Sequence, residues 1–67
     1  MIRTIMAKMA RGGRMSLIVD GFAENDSYGS GEKFVTIEIY SIKWPGGGEV
    51  DRKLVDMDDV EYQFLCS

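Results

Sequence analysis

The run KFVTIEIYSIKW, residues 33–44, constrains the fold more than any other stretch of the chain. Val35, Ile37 and Ile39 fall on one face of an extended backbone and Thr36 and Glu38 on the other, the period of a half-buried strand. After Tyr40 the phase slips by one residue, and Ile42 and Trp44 take over the apolar role. Such a slip predicts a β-bulge, or a strand passing from one packing environment to another. Pro45-Gly46-Gly47-Gly48 then ends the strand.

The rest of the chain is read around this strand. In residues 2–10, Ile2, Ile5, Met6 and Met9 recur at helical spacing with Arg3, Thr4, Lys8 and Arg11 off the stripe, which predicts a short helix capped by Gly12-Gly13. The alternative is a strand turned at Gly12-Gly13 into the next strand. MSLIV, residues 15–19, is a compact strand. FAENDSYGSGE, residues 22–32, reads as a strand end and then a loop of about ten residues anchored by Phe22 and Tyr28. EVDRKLV, residues 49–55, reads as a weak edge strand whose charges resist further pairing. In residues 56–67 a strand would align Val60, Tyr62, Phe64 and Cys66, whereas a helix would use Asp58 as N-cap and Glu61 to close a capping box. The strand is the favoured reading.

These elements predict an α+β, mostly β fold: a short N-terminal helix followed by a small curled antiparallel sheet of three to four strands, or an all-β domain if the N-terminus is a strand. The chain is one domain, 1–67, with 1–14 a helix or basic arm and 15–67 the β core. A subsidiary reading takes 1–14 as a leader ahead of a start at Met15. Helix 2–10 is the only local candidate to cover the sheet.

A chain of 67 residues buries only about 60% of its unfolded surface. One cysteine and no histidine exclude an internal disulfide and a structural zinc site. Packing alone, or a second subunit, must then hold the fold, and a homodimer or higher homo-oligomer is expected. No apolar run reaches the roughly 20 residues that cross a bilayer. The expected setting is a reducing cytoplasm with no membrane contact.

Charge is split along the chain. Residues 1–19 hold Arg3, Lys8, Arg11 and Arg14 without an acid; residues 20–67 hold all eleven acids against Lys33, Lys43, Arg52 and Lys53. The basic group is the candidate anion-binding set, with neutralisation of the C-terminal acids as its structural rival. Four phosphate contacts would give weak, salt-sensitive nucleic-acid binding without sequence readout, so nucleic acid is not the expected partner.

No enzyme is expected, because the commonest general acid–base side chain is missing and so small a sheet hardly encloses a cleft. YGSGEKF fails as a phosphate loop, since Lys33 precedes Phe34 where a Ser or Thr is needed. DMDDVEYQF lacks the glycine and spacing of a calcium loop. No cofactor and no metal follow from the residues. Cys66 is expected to pack as a small apolar group. Tyr40 and Trp44 are candidates for a binding hot spot, with core packing the favoured role for Trp44.

The functional expectation is a non-enzymatic protein-interaction module. Its acidic surface, Asp51, Asp56, Asp58, Asp59 and Glu61, would engage a basic surface on a protein partner. By size and polarity the chain looks like the small inhibitors that phages and mobile elements encode against host proteins, an analogy that names no target. The alternatives are an oligomeric protein binding a nucleotide-like small anion through Arg11, Arg14 and the Gly-rich loop, and a weak nucleic-acid binder through the basic N-terminal segment.

Overall fold

The computed structural model describes residues 1–27 and 33–67. Tyr28 and residues 29–32 of the expected ten-residue loop, with most of YGSGEKF, lie outside the described residues.

The N-terminal residues form a strand, β1 (Ile2–Lys8), and not a helix. The helical stripe is real as a pattern, but a nine-residue helix is marginal on its own in water. As a strand the same residues pair along their length with β2 (Arg14–Ser27), from Ile2 opposite Asp20 to Lys8 opposite Arg14. Alternation then places Ile5 and Ala7 on the face of Leu17 and Val19, and all four are buried. Gly12 and Gly13 serve the hairpin turn, not a helix cap. Their φ values of 103° and 75° are left-handed, and Met9 N donates to Gly13 O at 2.9 Å. The segment 1–14 is therefore part of the fold: it supplies one of three strands and two core residues.

β2 does not stop at the expected loop. It runs on through Phe22–Ser27 and pairs antiparallel with β3 (Lys33–Lys43), giving a sheet of order β1-β2-β3. This part of β2 has no β1 beside it and forms a two-stranded ribbon with β3. The longest dimension of the molecule is 43 Å.

The expected bulge is present. Asp20 pairs with Ser41 and Gly21 with Ile39, which leaves Tyr40 without an opposite residue. Gly21 is required at this crossing, since a Cβ there would collide with the main-chain oxygen of Glu38. The bulge turns Ile42 into the core beside Val19, while Ile37 and Ile39 lie at the core's margin.

After β3 the chain turns at Trp44–Gly48, where Trp44 N donates to Gly48 O at 2.8 Å and Gly47 is left-handed at φ 109°. Residues 49–55 make two isolated bridges, Lys43 to Glu49 and Met9 to Val55, and no edge strand. Asp51 explains this. Its carboxylate accepts from Lys53 N at 2.9 Å and starts a single 3₁₀ turn, Arg52–Leu54, in competition with a ladder.

The C-terminus is a helix, α1 (Met57–Cys66), and not a strand. The i, i+4 pair Val60 and Phe64 is fully buried, whereas Tyr62, which a strand would place beside them, is 62% exposed and Cys66 is exposed. The N-cap is Asp56, two residues before the expected Asp58. It accepts from Asp59 N at 3.3 Å, and Asp58 and Asp59 then sit in the first turn, where the helix dipole favours negative charge. α1 thus takes the covering role expected of the N-terminal segment. The architecture is mostly β, with one helix at the C-terminal end. Among the described residues no helix is long and apolar enough to cross a membrane.

Candidate interaction surfaces

The acids of the C-terminal half divide into two groups by what they touch. Gly21 N donates to Met1 O and Met9 N to Gly13 O, so the odd residues of β1 face β2 and the even ones turn their main-chain groups outward. Asp59 meets that outer edge. Its Oδ2 accepts from Lys8 N at 2.7 Å and from the Arg14 guanidinium at 3.0 Å, and Asp56 N donates to Lys8 O at 2.9 Å. Arg14 also reaches Met6 O at 3.3 Å. The Lys8 N–H holds the Asp59 carboxyl below the ordinary aspartate value; partial burial works against this, and Arg14 reinforces it. Asp51 and Asp56 are caps. Of the five acids expected to form a binding surface, Asp58, exposed, and Glu61, half-buried, make no side-chain hydrogen bond or ion pair among the described residues. The five predicted acids therefore do not form one free surface.

The basic set is divided as well. Arg3 lies over the Phe64 ring at 5.3 Å and donates to Phe64 O at 2.8 Å and to Ser67 O at 2.5 Å, closing the C-terminal end of α1. Arg14 is paired with Asp59. Arg11 and the ammonium of Lys8 have no partner among the described residues. The neutralisation weighed in the sequence thus holds for Arg14 and Asp59.

Helix α1 covers one face of the sheet and leaves the other open. On the open face lie Ile2, Met6, Phe22 and Tyr40, exposed by 70, 53, 41 and 57%, with Ile18 half-buried among them. Register sorts the charges on this face by end. Lys8 and Lys43 lie toward the β1–β2 turn; Asp20, Glu24 and Glu38 lie toward the ribbon. Asp20 meets the Met1 amine at 3.3 Å, while Glu24 and Glu38 form no ion pair among the described residues. Sequence reading found Tyr40 but missed Ile2, Met6, Phe22, Glu24 and Glu38. Period-2 alternation in residues 2–8 and 18–24 carried the signal, but it is visible only once both stretches are read as strands.

Trp44 lies on the opposite side. It is half-buried against the core margin and lines a pocket of about 330 Å³ with Met9, Met15, Leu54, Arg11 and Arg14. The structure thus gathers three predicted residues, Trp44, Arg11 and Arg14, at one place, and separates Trp44 from Tyr40. Among the described residues no three acids, cysteines or histidines converge as a metal site would need.

Comparison with protein-family models, curated proteins and solved structures finds no match.

Proposed function

We propose that the protein is a non-enzymatic interaction module that binds another protein through the open face of its sheet. The observation that carries this reading is the aromatic and aliphatic patch Ile2, Met6, Ile18, Phe22 and Tyr40, left uncovered beside Glu24 and Glu38. Contiguous exposed apolar surface rimmed by charge is the usual mark of a protein-binding face. Glu24 and Glu38 form no ion pair among the described residues and can act outward, while Asp51, Asp56 and Asp59 hold the fold. The partner chemistry that fits is an apolar projection flanked by lysine or arginine. An inhibitor that occupies a basic surface of its target works in this way.

The acidic helix surface reduces here to Asp58 and Glu61, and the basic N-terminal segment to Lys8 and Arg11. Neither offers the apolar centre that a stable protein interface needs.

The test is capture from nuclease-treated lysate on four immobilised chains: the native protein, Glu24→Lys/Glu38→Lys, Phe22→Ser and Asp58→Lys/Glu61→Lys. A partner held by the native chain should be lost from the first two variants, kept by the third, and weakened as salt rises. A partner held equally by the native chain and by Glu24→Lys/Glu38→Lys and Phe22→Ser would refute the reading. Loss from the helix variant alone would move the interface to α1.

A further inference from the structure

A second surface, distinct from the open face, has the form of a small-ligand site. The pocket beside the β1–β2 turn measures about 330 Å³, within the range of small-molecule sites. Its apolar lining residues are Trp44, Met9, Met15 and Leu54. Flat aromatic rings suit such walls: the indole offers a stacking face, and thioether sulfur packs favourably against ring edges.

The charged groups at this pocket are both cationic. Arg14 is half exposed, and its charge is offset by Asp59 at 3.0 Å. Arg11 is exposed and makes no hydrogen bond or ion pair among the described residues, and no acid lines the pocket. Gly12 and Gly13 stand between the two arginines, and space beside both is open, with no atom within 4 Å of where a Cβ would be. A ligand group can therefore approach the main chain of this turn.

We propose that this pocket binds a small planar aromatic anion, its ring against Trp44 and the methionines and its carboxylate or phosphate on Arg11. The apolar walls alone would take any hydrophobic group. Arg11, beside the pocket and without an ion-pair partner among the described residues, selects the one that carries negative charge, because a planar guanidinium binds carboxylate and phosphate in the same forked geometry.

Trp44 is the sole tryptophan, so its fluorescence reports directly on the pocket. The full chain is titrated with benzoate, phenyl phosphate, benzyl alcohol and inorganic phosphate, following emission and binding heat. Benzoate or phenyl phosphate should give a saturable change, and the stronger of the two identifies the anionic group. Benzyl alcohol, which lacks the charge, and inorganic phosphate, which lacks the ring, should each bind at least about tenfold more weakly. Arg11→Gln should weaken the ring anion by about tenfold with no change in melting temperature, and Arg11→Lys should retain part of the affinity. Absence of saturation with both ring anions overturns the proposal. So does equal binding of benzyl alcohol, or full affinity in a folded Arg11→Gln. The variants on the open face leave this pocket intact, so the two readings stand or fall separately.

Discussion

The carboxylate of Asp59 lies 2.7 Å from the main-chain nitrogen of Lys8, so the first turn of α1 is tied to the outer edge of β1. That edge would otherwise present N–H and C=O groups to any passing strand. Here Lys8 N goes to Asp59, Lys8 O to Asp56 N, and Met6 O to Arg14. The outer edge of β3 is treated alike: Ile42 O accepts from Val50 N at 2.9 Å and Ile39 O from Arg52 at 2.6 Å. The segment after β3 thus closes both sides of the sheet around the core.

Asp59 should make stability pH-dependent. Its folded-state pKa is lowered, chiefly by the Lys8 N–H. Its contribution is therefore fully present above the ordinary aspartate value of 3.8 and is lost as pH falls below that toward the folded-state value. Asp59→Asn should lower the melting temperature at pH 7, and the gap between native and variant should narrow steadily from about pH 4 downward. Urea unfolding of both chains across this range measures it; a gap independent of pH would count against the contact.

Arg3→Ala should destabilise by about 1–2 kcal/mol, through loss of the hydrogen bonds that close α1 and of the stacking over Phe64. Arg3→Lys should recover part of this, since it keeps the charge near the helix C-terminus but loses the fork. Chemical denaturation of the three chains decides it, and equal stabilities would show that the cap contributes nothing.

Gly21→Ala should cost more than its one methyl suggests, roughly 1–3 kcal/mol or above, because the obstacle is the Glu38 main chain and not a movable side chain. Gly46→Ala is the control. No atom lies within 4 Å of its Cβ position, and its effect should stay within about 0.5 kcal/mol. Similar midpoints for both variants would contradict the close crossing at the bulge.

A chain beginning at Met15 should fail to fold on its own. It lacks Ile5, Ala7 and the partner strand for Met15–Asp20, and α1 loses Arg3 at one end and Lys8 at the other. Circular dichroism and thermal melting of Met15–Ser67 check this, with a cooperative transition near that of the full chain as the contrary result. Phe64→Ala in the full chain should be nearly as damaging, at about 3–5 kcal/mol, since its ring is fully buried.

Local pattern determined a good part of this protein. Alternation in residues 33–44 and its slip at Tyr40 specify β3 and its bulge, because the period of a strand is a property of the backbone itself. MSLIV and the Pro45–Gly48 break are legible for the same reason. Tertiary structure decided the two ends. Residues 2–9 carry a helical and a strand period at once, and the choice fell to the strand because β2 stood ready to pair with it and to bury Ile5 and Ala7. Residues 56–67 likewise allow either form. Helix won because the sheet then had one face to cover and Val60 and Phe64 fit it, with Arg3 and Lys8 waiting at the right separation to receive its ends. The candidate surfaces follow the same division. Arg11, Arg14 and Trp44 can be named from sequence as residue types suited to binding, but only the turn of one hairpin and the end of β3 bring them to one pocket. Glu24, Glu38 and Phe22 became a face only when a strand replaced the expected loop.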